Sequence, residues 1–315
     1  MRKTQAIEFN KKEKQRFFAS ERAVMLLKQH EEITRMSKVP SKAHPNLRRK
    51  TPIVLTIAGS DCSGKAGIQA DIKAISATGG YACSVITAIT SQNTQGMPGA
   101  FPVPVDHVQS QLDAVFTDLD VAAVKIGMLV QEDIITAVAE KLKQYRPRNI
   151  ILDPVMVSTC GDLLIQPSAF KTLKETLLPL VDLITPNLPE CAALTVQTPP
   201  QTEQEMYEMI SAIRKLGVKS TLLKGGHLMD STSSNDLLIT SQSTEMFRSE
   251  RINTPNTRGT GCTLSSAIAC YLAQGATLSQ AVSSGKNYIT QAIQHADKLD
   301  VGRNAGPVNH FFKLL

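Results

Sequence analysis

The stretch that decides the fold is TPIVLTIAGSDCSGKAGIQADIKAISA, running from Thr51 to Ala77. Its residues Ile53-Val54-Leu55-Thr56-Ile57-Ala58 form a short, nearly unbroken apolar run, the pattern of a strand covered on both faces. Gly59 to Gly67 is polar and glycine-rich, which makes it a turn, and apolar spacing then predicts a helix from about Ile68 to Ala77. The succession repeats along the chain. Strand-like runs lie at Ala82–Ile89, Ala122–Ile126, Ile150–Leu152, Leu183–Thr185, Ser220–Leu223 and Asp236–Ile239. Helical patterns lie at about Val105–Phe116, Gln131–Gln144, Pro167–Leu177, Thr202–Leu216, Cys262–Leu272 and Leu278–Ala296. Alternating strand and helix implies right-handed crossovers and a mostly parallel sheet covered on both faces, hence the α/β class. Ligands of such folds bind at the carboxyl ends of strands. The Gly-, Asp- and Asn-rich segments of this chain fall there.

With 315 residues and 42% apolar content, the chain can bury the core of one large domain, with or without an appendage. Its net charge of +6 is unevenly placed. Residues 1–50 carry 14 Lys and Arg against five Glu, whereas residues 51–315 carry 20 against 23 Asp and Glu. The basic character belongs to an N-terminal extension, read as a frayed helix from about Lys11 to Met36 and a linker from Ser37 to Lys50, with no part in the chemistry. The body, residues 51–315, is slightly acidic, which argues against a nucleic-acid groove. Five glutamates and few serines argue against a transit peptide, and no apolar run approaches the roughly 18–20 residues of a membrane span. A cytoplasmic protein with no membrane partner is expected. The six cysteines form no C-x-x-C pair, so neither a metal cluster nor a disulfide framework is indicated.

Chemistry is written most clearly in INTPNTRGTGCTLSSAIA, Ile252 to Ala269. A polar approach leads through Gly259-Thr260-Gly261-Cys262 into an apolar run of helix formers. Unpaired N–H groups and the positive end of a helix attract anions, and a thiol in the first turn is expected to have its pKa pushed down toward neutrality. An anion hole beside an activated base suits phosphoryl transfer to a hydroxyl. Taken alone, the motif fits an ordinary glycine-rich helix start with an inert cysteine equally well. Gly59-x-x-x-x-Gly64-Lys65 matches the first seven positions of a Walker A loop, but Ala66 stands where Ser or Thr should bring a hydroxyl to magnesium. The loop is therefore read as serving the substrate.

Taken together, these segments resemble the hydroxymethylpyrimidine/phosphomethylpyrimidine kinases of the thiamine pathway, within the ribokinase-like superfamily. The resemblance covers about Pro52 to the C-terminus. It rests on TIAGSD-x-SG-x-AGIQADIKA from Thr56, VITAITSQNT from Val85, KIGML from Lys125 and LDPVM from Leu152. It continues through ITPNLPE from Ile184, LLKGGH from Leu222, NT-x-NT-x-GTGCTLS from Asn253 and VGRNAGPVNHFF from Val301. It implies a three-layer α/β/α sandwich, a homodimer, and ATP with Mg²⁺. The pyrimidine would be bound by Gly59, Asp71, Gln92 and Met128, with Asp71 and Gln92 meeting the polar edge of the ring. Asn187 and Glu190 would organise magnesium and the nucleotide phosphates, while Lys224 and Lys286 would lie near the nucleotide. Gly259, Thr260 and Gly261 would form the anion hole, with Cys262 as base. Asn187 and Glu190 also have the spacing of a helix capping box.

The chain departs from the pattern of the family it resembles at three places. Cys62 and Lys65 stand where Pro and Gly are usual, and Thr159-Cys160-Gly161 replaces a Lys-Ser-Gly. Lys65 could point to solvent, reach the substrate's phosphate, or weaken pyrimidine binding. Two rival functions follow: a vitamin B6 kinase acting on pyridoxal or its relatives, and a weakly catalytic regulatory protein on the same fold. The polar segment from Asp230 to Ser249 reads equally as a flap or as a hairpin in the sheet.

Overall fold

The computed structural model describes residues 50–156, 167–228 and 232–314. The N-terminal extension up to residue 49 and the Thr159-Cys160-Gly161 departure lie outside the described residues. β1 (Ile53–Asp61) is the first central strand, and the turn after it leads into α1 (Gly67–Ala77). Next come β2 (Tyr81–Ser91), β3 (Gly99–Pro102) and α2 (Val105–Asp118). They are followed by β4 (Val121–Ile126), α3 (Glu132–Tyr145), β5 (Ile150–Leu152) and α4 (Pro167–Thr172). The chain continues through β6 (Leu183–Ile184), α5 (Leu188–Thr195), α6 (Glu203–Glu208), α7 (Ile210–Arg214) and β7 (Ser220–Lys224). It closes with β8 (Asp236–Thr240), β9 (Thr244–Phe247), α8 (Thr260–Ala273) and α9 (Leu278–Gln294).

All nine strands form one sheet in the order β3-β2-β1-β4-β5-β6-β7-β8-β9. β1 pairs in parallel with both β2 and β4, so Leu55 sits between Cys83 and Val124. The parallel run continues to β7, and the outer strands β3, β8 and β9 pair antiparallel. Successive strand residues face opposite sides. Leu55, Val124, Ile150 and Ile184 pack against α2 and α3, while Val54, Ala123, Ile151 and Leu183 pack against α8 and α9. The result is the expected three-layer sandwich. β8 and β9 make the segment after residue 232 a hairpin of the sheet, which decides between the two readings of that stretch.

Candidate functional site

A cavity of ≈ 1270 Å³ opens where the parallel strands end. That exceeds the roughly 300–1,000 Å³ of a pocket for one small molecule, leaving room for a nucleotide beside a small acceptor. The strands deliver site residues at or just beyond their carboxyl ends: Gly59 near the end of β1, Gln92 after β2, Met128 after β4, Asp153 after β5, Asn187 and Glu190 after β6, and Lys224 at the end of β7. The start of α8 and Lys286 of α9 complete the walls.

Three lysines define the electrostatics, each beside one aspartate. Lys125 Nζ lies 2.9 Å from both Asp71 oxygens, and neither side chain is exposed at all. Lys224 Nζ lies 2.8 Å from Asp153 Oδ1, which also accepts the Thr185 hydroxyl at 3.0 Å. Lys286 Nζ lies 2.6 Å from Asp236 Oδ2 and donates to the Ser234 carbonyl as well. Burial alone would discharge Lys125 and Lys224, but the adjoining carboxylates outweigh it and hold both pKa values above the ordinary lysine value. Burial likewise opposes the charge on Asp153, but Lys224 and Lys125 keep its pKa low.

Asp71 departs from its expected role. It lies on the sheet-facing side of α1, and its carboxylate is consumed by Lys125, by the Thr56 hydroxyl at 2.6 Å and by the Ser266 hydroxyl at 2.8 Å. It does not wall the cavity, which Lys125 reaches in its place. Asp71 is therefore the counter-ion of a site lysine rather than a contact for the pyrimidine edge.

Glu190 belongs to no ion pair among the described residues. It is the N3 residue of α5: Asn187 N–H donates to Glu190 Oε2 at 2.8 Å, and Glu190 N–H donates to Asn187 Oδ1 at 2.8 Å, a complete capping box. The capping reading and the site reading thus hold together, because the capped carboxylate is also a cavity wall. Burial, with a smaller push from Asp153, raises its pKa to about 7 against the pull of Lys224. A buried carboxylate with too little compensating charge fits a cation. Among the described residues no three metal-binding side chains cluster.

At the start of α8 the sequence reading holds for geometry and fails for acidity. Gly259 caps the helix with φ +81°, a conformation suited to glycine, and a Cβ there would run into the Lys65 carbonyl. A Cβ built on Gly261 would lie 3.2 Å from Asp153 Oδ2 and 3.3 Å from Lys224 Nζ, so the first turn abuts that ion pair. Cys262 occupies the first turn, yet its pKa is pushed up to about 11 rather than down. Burial is the main cause and outweighs the pull of Lys125, while Asp71 and Asp153 add to the rise.

The turn after β1 is not a phosphate loop. Asp61 gathers its donors inward: Oδ1 accepts the Ser63 N–H at 2.9 Å and the Ser63 hydroxyl at 2.7 Å, and Oδ2 accepts the Ala66 N–H at 2.9 Å. Lys65 is buried, with Nζ 2.6 Å from the Asn93 carbonyl. On the acceptor side, Thr90 Oγ1 donates to Gln92 Oε1 at 3.3 Å, and a Cβ on Gly59 would collide with the tip of Met128. Gly59, Gln92, Met128, Asn187, Glu190, Lys224, Lys286 and residues 259–262 therefore share one cavity. Sequence reasoning missed Lys125 and Asp153. A lysine in the apolar strand Val121–Ile126 and an aspartate directly after Ile150–Leu152 were the available signals.

A family model described as phosphomethylpyrimidine kinase matches residues 61–309. The chain is 48% identical over 257 residues to a hydroxymethylpyrimidine/phosphomethylpyrimidine kinase of Salmonella typhimurium, covering 82% of this chain and 96% of that one. The crystal structure of phosphomethylpyrimidine kinase from Clostridium difficile superposes with a TM-score of 0.69 at 42% identity, covering 77% of this chain and 100% of that one. An ADP complex of Bacillus subtilis pyridoxal kinase superposes with a TM-score of 0.78 at 34% identity, covering 84% and 100%.

Proposed function

The chain belongs to the phosphomethylpyrimidine kinase family, and on that footing we propose that it transfers the terminal phosphoryl group of ATP to the hydroxymethyl oxygen of 4-amino-5-hydroxymethyl-2-methylpyrimidine, and then phosphorylates the monophosphate to the diphosphate. The observation that supports this reading is that Gly59, Gln92 and Met128, the residues assigned here to the acceptor, line the same cavity as Lys224 and the first turn of α8, assigned to the phosphates. Gln92 offers a carboxamide to the donor-and-acceptor edge of an aminopyrimidine. The N–H groups of Gly261 and Cys262 and the ammonium of Lys224 stabilise charge on the phosphoryl group in transit. The thiolate form of Cys262 receives the hydroxyl proton and becomes the thiol. A thiol titrating at about 11 is ionised to only about one part in 10⁴ at neutral pH, so positioning and electrostatics supply the larger share of catalysis. Glu190, held by Asn187, would bind Mg²⁺, which when bound offsets phosphate charge. Lys286 lies toward the nucleotide.

We also propose a homodimer in the cytoplasm. Ile89 and Phe101, paired in register on the β2–β3 edge, leave exposed apolar surface there, and Phe101→Asp should turn a dimer into a monomer by light scattering. No helix among the described residues is long and apolar enough to cross a membrane. ATP consumption with hydroxymethylpyrimidine, its monophosphate or pyridoxal as acceptor tests the substrate. Formation of the diphosphate supports the proposal; turnover of pyridoxal alone overturns it.

A further inference from the structure

Lys65 and Cys62, both in the turn after β1, act on one and the same segment. The Cys62 thiol donates to the Gln92 carbonyl at 3.2 Å and accepts the Gln92 N–H at 3.3 Å, so both backbone polar groups of Gln92 meet one side chain. Lys65 Nζ reaches the next carbonyl, Asn93 O, at 2.6 Å from a position only 3% exposed. The main chain of Lys65 meanwhile packs against Gly259, the cap of α8, so closely that a Cβ there could not fit. Lys65 thus spans the two ends of the cavity: its backbone rests on the phosphate end and its ammonium ties down the acceptor end. The far side of the same loop is held independently, because Thr94 Oγ1 accepts the Arg303 N–H at 3.1 Å.

We propose that Lys65 and Cys62 are positioning residues that clamp the Gln92–Asn93 segment against the turn after β1 and so set the affinity of the enzyme for its acceptor. The acceptor half of this inference rests on the placement of the acceptor beside Gln92. Lys65 carries the larger part, since its bond is charge-assisted and buried whereas the thiol is a weak donor and acceptor. A clamp of this kind changes KM for the acceptor and leaves the nucleotide end alone.

The test combines backbone amide exchange of residues 91–96 in the ligand-free full-length protein with steady-state kinetics, using Lys65→Met, Cys62→Ala and Cys62→Ser. Lys65→Met should speed exchange in that segment, and raise KM for whichever acceptor the wild type turns over, by about tenfold or more. Its KM for ATP and its kcat should stay within about twofold. Cys62→Ala should show the same pattern more weakly, and Cys62→Ser, whose hydroxyl can still donate and accept, should restore it. Unchanged exchange in Lys65→Met overturns the clamp. Faster exchange without a change in acceptor KM overturns its role in affinity. A Lys65→Met chain that does not fold leaves the Cys62→Ala and Cys62→Ser pair to decide, with equal behaviour of the two overturning the proposal. If the wild type phosphorylates pyridoxal alone, the pyrimidine reading fails, while the exchange data still judge the clamp.

Discussion

Replacing Asp71 by Asn separates two roles that the sequence cannot tell apart. Asp71 is fully buried, and its carboxylate accepts two bonds from Lys125 and one each from Thr56 and Ser266. Asparagine keeps the shape but removes the charge and one acceptor oxygen, so the buried Lys125 ammonium loses its nearest counter-ion. Breaking one partner of a buried pair costs about 3–5 kcal/mol. In urea, with a slope of a few kcal/mol/M, that moves the midpoint down by about 1–2 M. Adding Lys125→Met should recover a large part of the loss, because most of it is the penalty of the orphaned ammonium. Both midpoints are read by circular dichroism, with KM for the pyrimidine measured alongside. A wild-type midpoint in Asp71→Asn together with a tenfold higher pyrimidine KM would refute the counter-ion role and restore the direct substrate contact.

Cys262→Ala should lower kcat by about 10²-fold or more without weakening ATP binding. Because the thiol titrates at about 11, wild-type kcat should climb between pH 7 and 9 as the thiolate fraction grows, and a variant that keeps the same climb would remove Cys262 as the base. Gly259→Ala forces a Cβ onto the Lys65 carbonyl at φ +81°, so a loss of thermal stability and of kcat is expected, and a melting temperature equal to wild type would contradict the packing. Glu190 is an acid whose folded pKa is raised to about 7, so in the metal-free protein it contributes stability that is lost as pH rises from its ordinary value of 4.5 through 7. Glu190→Gln should flatten that part of the stability profile, read as urea midpoints from pH 4 to 8, and an unchanged slope there would remove Glu190 as its source.

What could be read from the sequence depended on how far each signal reaches along the chain. β1 was legible because Ile53 to Ala58 is apolar at every position but Thr56, and a central parallel strand is largely apolar on both faces. β3 and β9 were not, since Gly99–Pro102 and Thr244–Phe247 are four-residue outer strands that carry little apolar pattern. Thr202 to Leu216 read as one helix but is two, Glu203–Glu208 and Ile210–Arg214, a break that no glycine or proline announces. The acidity of Cys262 was misjudged because a helix start is a local feature, whereas burial and the charges of Asp71 and Asp153 come from distant segments. Asp71 is different, because the decisive signal was present. Ile68, Asp71 and Ile75 recur at i, i+3 and i+7, one face of α1, and all three are buried. A carboxylate on an apolar helix stripe needs a buried cation opposite it, and Lys125, alone among the apolar residues of Val121–Ile126, is that cation. Two polar residues, each anomalous within its own element, explain each other once the sheet brings β4 beside β1 and α1 packs over β1.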